Sequence, residues 1–296
     1  MNENVSQLER ALHIVLWQIR DYLNELVLIG GWVPHLYRKY GGFTDWKLDV
    51  PFTSEVDILI SPPLKLESGQ SISKALRAAG FSPLNDGNTP AVWVKDPDSG
   101  EQVEFLVAHT GSARQIGKVV PVSGQPDLGA LSLDGLELLA RHTTFLTVLV
   151  GKFDGEMKTV QVRVPRLGAY VINKAITFPK RALRPGETIN PKRAKDLLYL
   201  RNLVASGNEV VARIELNIRE MAASDANSAG HIRNARNNLG LVLNGALQKI
   251  LPEAAQELTV RFGMTTDAAV ADLRGHLTDL FEILEEVLTK DVGHRE

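Results

Sequence analysis

The sequence predicts an α/β (α+β) fold, in which a small mixed sheet flanked by helices is followed by a helical C-terminal half. Two observations indicate this class. Short apolar runs alternate with amphipathic stretches in the order helix, strand, helix, strand, helix, strand, strand. From Pro191 onward, helical periodicity continues almost without interruption. A soft boundary near Pro165 predicts an α/β domain over 1–164 and a mainly helical domain over 165–296.

The helices and strands of the first half are predicted from the spacing of apolar residues and from the positions of Pro and Gly. Pro34 fits only the first turn of a helix, Pro62 stops a strand, and Gly80 ends a helix. With these limits, the pattern predicts helices over 5–23, 32–40 and 71–79, and strands over 26–29, 55–60, 91–94 and 102–107. Residues 41–52 are predicted to form a loop.

The second half contains one predicted hairpin and many predicted helices. Asp154 and Gly155 form a turn signal between two apolar runs, over 144–150 and 157–164. A further strand is predicted over 116–122, and helices over 165–178, 191–206, 209–222, 228–250, 252–262 and 266–290. The last helix carries an apolar stripe, which we expect to pack on the protein's own core; a partner or dimer surface is the alternative.

Composition excludes several classes of protein. The chain has 296 residues, of which 44% are hydrophobic and 23% charged, as in a soluble globular protein. No apolar run is long enough to span a bilayer, and no signal peptide is visible, so we expect a cytoplasmic protein without membrane partners. The absence of cysteine excludes disulfides, Cys-ligated zinc and thiol catalysis. The net charge of −2 means that any site for a polyanion must be local.

Two carboxylates are the strongest candidates for chemistry. Glu55 and Asp57 are separated by one apolar residue on a predicted strand, so their side chains point to the same face. Two neighbouring carboxylates repel each other unless something neutralises them. A divalent cation does so, and hard oxygen ligands suit magnesium (Mg2+).

Small residues near these carboxylates are candidates for phosphate binding. Gly30 and Gly31 end an apolar strand, where backbone N–H groups can approach a phosphate without obstruction from side chains. Thr53 and Ser54 precede the carboxylates, and a hydroxyl at this position could bind a phosphate oxygen. Two plainer interpretations stay open, a tight strand-to-helix turn for the glycines and an ordinary strand start for the hydroxyl residues.

The diglycine followed by a carboxylate–apolar–carboxylate strand resembles the nucleotidyltransferase superfamily, and more closely its AbiEii-like members, many of which are toxins or phage-defence proteins. The resemblance covers roughly the first two thirds of the chain. It implies magnesium, a nucleoside triphosphate and a third carboxylate on a neighbouring strand. Glu104 matches that position, between Val103 and Phe105. Glu104 then joins Glu55 and Asp57 as a catalytic and metal-binding candidate; the alternative is a solvent-facing strand residue.

A basic segment is the second candidate for nucleotide binding. Residues 163–201 contain ten Lys and Arg residues against two acids, which suits a triphosphate or an RNA backbone. The segment resembles the AbiEii-like pattern of a helix lysine followed by a Lys-Asp dipeptide. The resemblance implies that Lys174 and Lys195 contact the triphosphate and that Asp196 organises the site. The alternative is a solvated basic surface in which Asp196 pairs with a neighbour.

The function predicted from these features is magnesium-dependent transfer of a nucleotide to RNA, such as tRNA, or to protein, with an antitoxin as a possible partner. Two alternatives stay open. One is a nucleotide-binding regulatory module without turnover, against which the three carboxylates argue. The other is a nucleotidyltransferase acting on an antibiotic, against which the basic segment argues, because cationic antibiotics usually bind acidic pockets. The acceptor, the nucleotide and the oligomeric state stay open.

Overall fold

The computed structural model confirms the predicted class, a mixed α/β fold with a helical C-terminal half. It describes residues 3–47, 53–60, 70–84, 89–96, 101–109, 116–180 and 191–292. In chain order, its first elements are α1 (Glu3–Gln18), β1 (Leu26–Ile29), α2 (Trp32–Tyr40), β2 (Glu55–Ile60), α3 (Ile72–Ala78), β3 (Ser82–Pro83), β4 (Val92–Asp96) and β5 (Glu101–Ala108). These elements follow the predicted order, with β3 added.

The remaining elements comprise the end of the sheet, a hairpin and the C-terminal helices. They are β6 (Val119–Pro121), β7 (Gly129–Leu133), α4 (Glu137–Arg141), β8 (Thr143–Phe153), β9 (Glu156–Pro165), α5 (Leu167–Thr177), α6 (Pro191–Val204), α7 (Asn208–Ser224), α8 (Ala226–Asn244), α9 (Ile250–Phe262) and α10 (Thr266–Val292). The long helices from α6 onward lie where helical periodicity predicts them.

The main sheet has the strand order β1-β2-β5-β4-β3, and β7 also pairs with β5. Strands β1 and β2 are antiparallel, whereas β2 and β5 are parallel. Strand β5 is central: β2 pairs along most of its length, β4 pairs antiparallel with its first half, and β7 pairs parallel with its second half. The sheet is therefore mixed, as the sequence predicts.

The core of this sheet is apolar on the face that carries alternate residues of β1, β2 and β5. Val27, Leu59 and Leu106 are buried there and pack with Leu136 and Leu139 at the start of α4. On the opposite face, the intervening residues of β2 and β5 are buried as well. Strands that are covered on both faces read as continuous apolar runs, which is how β1 appears in the sequence.

Two elements of this core were not predicted from the sequence. Strand β7 was missed because its residues, Gly-Ala-Leu-Ser-Leu, show neither a long apolar run nor β-branched enrichment. Helix α4 has only five residues, too few to display a helical period. The strand predicted over 116–122 is also shorter than expected, because Ile116 and Gly117 form a turn before β6 begins.

The hairpin β8–β9 forms a separate two-stranded sheet. The predicted turn is confirmed: Asp154 has a φ of 52° and Gly155 a φ of 83°. Positive φ at both central residues is the geometry of a type I′ turn, which matches the twist of the two strands.

The helical part has its own core. The predicted apolar stripe on α10 is buried at Leu273, Leu277, Leu280, Leu284 and Val287, and α10 packs against α8 and α9. The interpretation that the stripe packs on the protein's own core is therefore confirmed for these five residues. Within the described ranges, no helix combines the length and the apolar character needed to cross a bilayer.

The chain divides into two compact units. The first comprises Met1–Gly42 and Pro51–Pro165, and the second comprises Phe43–Val50 and Arg166–Glu296. Part of the second unit is thus supplied by the loop that follows α2: Asp45 accepts a hydrogen bond from the backbone N–H of Glu209 at the start of α7. Compactness does not show that a segment folds independently, so the two predicted domains stay a prediction.

A cluster of titratable side chains joins α1 to α2 in the first unit. Glu9 of α1 is largely buried, with a side-chain exposure of 12%, and forms an ion pair with Lys39. His35 Nε2 lies 3.5 Å from Glu9 Oε1. The hydrogen bond with His35 and the contact with Lys39 outweigh the effect of burial and lower the pKa of Glu9 from 4.5 to about 2. Glu9 is therefore ionised at neutral pH and stabilises the contact between the two helices.

We predict that Glu9→Gln lowers the free energy of unfolding by about 1–2 kcal/mol near pH 7, because the variant loses a carboxylate whose pKa is lower in the folded chain than in the unfolded chain. The sign follows from the direction of the shift: the stabilisation is present above pH 4.5 and is lost as the pH falls toward 2. Denaturant unfolding at several pH values would measure both effects.

The matched control is Glu156→Gln, whose carboxylate is 74% exposed at the end of the hairpin. Its unfolding free energy should stay close to that of the parent. A Glu9→Gln variant with the same acid dependence as the parent would show that Glu9 does not stabilise the fold through its charge.

Candidate functional site

The parallel pairing of β2 with β5 places two predicted site residues next to each other. Asp57 and Glu104 are direct partners in the register, so their side chains emerge on the same face of neighbouring strands. Glu55 lies two residues earlier on β2, on the same face, opposite Gln102. All three acids are half-buried. The sheet therefore brings the three predicted carboxylates to one face, with Asp57 and Glu104 side by side.

This face changes from polar to apolar along the strands. Beyond Asp57 comes Leu59, and beyond Glu104 comes Leu106, and both leucines are buried in the core. Ile58 is buried on the opposite face, as the alternation of side chains along a strand requires. The acids thus stand at the border of a packed core, where the surrounding side chains fix the strands that carry them.

Gly30 lies against Asp57. Ile29, the preceding residue, is the register partner of Asp57 on β1. A Cβ atom on Gly30 would lie 1.9 Å from Asp57 Oδ2, and the φ of Gly30 is +73°. Both features favour glycine, because an added Cβ atom would overlap this carboxylate unless the carboxylate moved, and positive φ is unfavourable for L-residues. The sequence suggested a phosphate cradle, and the structure adds a second role, the space for Asp57.

Gly31 and the two hydroxyl residues have ordinary structural roles. Gly31 is the N-cap residue of α2, with a φ of −69° that other residues adopt readily. Thr53 Oγ1 accepts a hydrogen bond from the backbone N–H of Glu55, and the carbonyl of Ser54 accepts one from the N–H of Gln102. These bonds fix the start of β2. The binding of phosphate by Gly31, Thr53 and Ser54 stays a prediction.

The carboxylates of Asp57 and Glu104 are suitable ligands for one magnesium ion. Among the described residues, no group of three or more His, Asp or Glu side chains is arranged to hold a metal ion. Magnesium, however, is usually held by one or two carboxylates together with water and substrate phosphates. Asp57 and Glu104 supply two such carboxylates on adjacent strands, so the donor set fits the ion in a complex with a triphosphate.

Lys174 of α5 forms a buried ion pair with Asp196 of α6. Their charged atoms, Nζ and Oδ1, are 2.7 Å apart, and their side chains are only 11% and 3% exposed. The ammonium also lies 5.5 Å and 5.3 Å from the ring centres of Tyr170 and Tyr199. Lys195 Nζ lies 5.8 Å from the Tyr199 ring. Asp196 thus binds Lys174, which lies near both tyrosine rings, whereas Lys195 lies near the Tyr199 ring.

The tyrosines are site residues that sequence reasoning missed. Tyr170 precedes Lys174 by four residues, and Tyr199 follows Lys195 by four. Residues four apart share a helix face, so this spacing could have indicated the two cation–aromatic contacts.

Other cations of the basic segment also have partners that are distant in sequence. Arg166 pairs with Glu220, and Arg201 pairs with Asp272. Arg181 and Arg184 lie outside the described residues, as do the side chains of Lys192 and Arg193. The positive excess counted along the chain is therefore smaller in the folded protein, at least for the cations that the structure describes. The three acids belong to the first unit, and Lys174, Lys195 and Asp196 belong to the second.

Comparison with known proteins assigns the chain to a family. A family model described as nucleotidyltransferase matches residues 15–218. The match spans about two thirds of the chain and includes the diglycine, the three acids and the Lys174–Asp196 pair. The curated proteins compared with the chain include none that matches it.

We predict that Gly30→Ala destabilises the protein because its Cβ would overlap the Asp57 carboxylate. Positive φ alone should lower the free energy of unfolding by about 1–2 kcal/mol when alanine replaces glycine. Steric overlap with the carboxylate should lower it by about 1–2 kcal/mol more. Gly80→Ala is the matched control, since Gly80 has a φ of +86° and open space around the added atom. Denaturant unfolding measures both variants.

A double variant separates steric overlap from backbone strain. In an Asp57→Ala background, Gly30→Ala should cost only slightly more than Gly80→Ala, because the overlapping carboxylate is gone and only the Cβ atom at position 57, 3.1 Å away, stays close. An undiminished cost in that background would contradict the assignment of Gly30 as the residue that leaves space for Asp57.

We also predict that Lys174→Met lowers the free energy of unfolding by about 3 kcal/mol, because it leaves the Asp196 carboxylate buried without its cation. Lys195→Met, at a half-buried lysine whose described contact is with an aromatic ring, should cost less than about 1 kcal/mol. Equal losses in the two variants, measured by denaturant unfolding, would show that the Lys174–Asp196 pair has no special structural role.

Proposed function

Because the chain belongs to the nucleotidyltransferase family, we propose that it transfers a nucleotide from a nucleoside triphosphate to an acceptor in a magnesium-dependent reaction. The observation that carries this proposal is the pairing of Asp57 with Glu104 on adjacent parallel strands, beside Gly30. Carboxylate oxygens on adjacent strands are suitable ligands for magnesium, and the reaction requires a cation where a triphosphate binds.

The proposed roles of the acids follow from their placement. Asp57 and Glu104 hold magnesium, and Glu55 completes the metal site on the same face. When bound, magnesium neutralises charge on the phosphates and orients them for in-line attack. The acceptor oxygen then bonds to the α-phosphorus while the bond to the pyrophosphate breaks, and a carboxylate such as Glu104 accepts the acceptor's proton.

The proposed nucleotide ligands are Gly30, which lies against Asp57, its neighbour Gly31, the hydroxyls of Thr53 and Ser54, and the lysines of the second unit. Lys195 is better suited to phosphate than Lys174, because Lys174 is already paired with Asp196. In this proposal, Asp196 organises the site by fixing Lys174.

We further propose that the chain is AbiEii-like and acts in the cytoplasm on RNA, such as tRNA, or on protein, as a toxin that an antitoxin restrains. The helix lysine followed by the Lys-Asp dipeptide supports this subtype. In the structure, these residues form one cluster, in which Asp196 binds Lys174 and Lys195 lies against the same tyrosine ring. The retained acids support an enzyme rather than a regulatory binding module.

We predict that Asp57→Asn abolishes transfer while the fold persists. The purified protein would be incubated with magnesium, each α-labelled ribonucleoside triphosphate, and total tRNA, protein extract or an aminoglycoside. The parent should label RNA or protein. Asp57→Asn should be slower by about 10³-fold or more, because the loss of a metal ligand removes several kcal/mol of transition-state stabilisation.

Asp21→Asn is the matched control, since Asp21 is an exposed acid of the same unit, with a side-chain exposure of 45%. Its rate should equal that of the parent, and both variants should keep the parent's circular dichroism. An Asp57→Asn protein with full activity would contradict the metal site. Label on the aminoglycoside only would replace RNA and protein by a small molecule as the acceptor.

A further inference from the structure

A cavity of about 460 Å³ lies in the first unit, between α1 and the end of β8. Helix α1 contributes Arg10, His13 and Ile14, and strand β8 contributes Val150, Lys152 and Phe153. None of these residues belongs to the carboxylate site or to the lysine cluster. The volume falls within the range of small-molecule sites in proteins.

The cavity carries two cations that lack carboxylate partners. Arg10 and Lys152 are exposed, and neither forms an ion pair with any acid that the structure describes. They come from different elements, so an anion in the cavity would bind both α1 and β8. Glu9, which also lines the cavity, does not cancel them, because its charge is already paired with Lys39.

The cavity is also lined by the imidazole ring of His13. Its Nε2 atom is buried and has no hydrogen-bond partner in the part of the chain that the structure describes. The distance from Nε2 to Glu9 Oε1 is 3.9 Å, which is too long for a hydrogen bond. Burial lowers the pKa of His13, which disfavours a positive charge on the ring. His13 therefore contributes a ring surface to the cavity wall, and its Nε2 atom is closed to a ligand.

The rest of the lining is apolar and includes a fixed aromatic ring. Phe153 stacks on Trp17 of α1, with ring centres 4.8 Å apart and an angle of 19° between the planes. Ile14 and Val150 add aliphatic surface. This lining suits a flat, weakly polar group, since aromatic rings and aliphatic side chains favour such surfaces.

We infer that this cavity binds a nucleoside monophosphate, at a site separate from the one proposed for the triphosphate. One phosphate matches Arg10 and Lys152, and a flat base matches Phe153 with its aliphatic neighbours. The cavity thus offers partners for the two ends of the ligand, its phosphate and its base. The inference goes beyond the proposed transfer reaction, because it requires neither magnesium nor the acids of the sheet.

The test is calorimetric titration of the full chain with adenosine monophosphate, adenosine and inorganic phosphate, in the presence of EDTA. The nucleotide should bind at least about tenfold more tightly than either fragment, because only the whole ligand meets both the cations and the apolar wall. Arg10→Gln and Lys152→Gln should each weaken nucleotide binding about tenfold, as expected when a charged hydrogen-bond donor is lost.

Lys158→Gln is the matched control, because Lys158 lies on the same hairpin, pairs with Glu156 and does not line the cavity. It should bind the nucleotide like the parent. Asp57→Asn should also bind like the parent, which separates this site from the proposed transfer site. The inference is overturned if the parent does not bind, if the Arg10 and Lys152 variants bind unchanged, or if Asp57→Asn removes binding.

Discussion

The parallel pairing of β2 with β5 is the constraint on which the candidate site depends. In this register, Asp57 stands directly beside Glu104, and both side chains share the face that carries Leu59 and Leu106 into the core. A slip of one residue would turn the acids of one strand to the opposite face and would bury a charge. Burial of the leucines therefore fixes the placement of the carboxylates, and packing energy sets the geometry of the site.

The local parts of this arrangement could be predicted from the sequence. The alternation of side chains along a strand predicts that Glu55 and Asp57 share one face. Glu104 is the single acid between Val103 and Phe105. The pairing of β2 with β5 brings together residues more than forty positions apart, and here the resemblance to a family, rather than any local pattern, indicated that Glu104 belongs with the pair. The contact of Gly30 with Asp57 could not be predicted, because it depends on the approach of β1 to β2.

The basic segment, residues 163–201, has a smaller positive excess in the folded protein than its sequence indicates, because some of its cations pair with distant acids. Lys174 pairs with Asp196, which is 22 residues away, and Arg201 pairs with Asp272, which is 71 residues away. Each of these pairs joins two helices, and the charge of the cation is compensated by its partner. Sequence composition reports the excess of cations, but only the packing of α5, α6 and α10 reveals which cations are neutralised.

The measurement that tests the account most directly is a crystal structure of the full chain with manganese and a non-hydrolysable triphosphate analogue. Manganese stands in for magnesium and is located by its anomalous scattering. The account predicts a metal ion bound by Asp57 and Glu104, with metal–oxygen distances of about 2.1 Å, and with triphosphate oxygens completing its coordination. A metal–triphosphate complex bound elsewhere, with neither acid as a ligand, would contradict it.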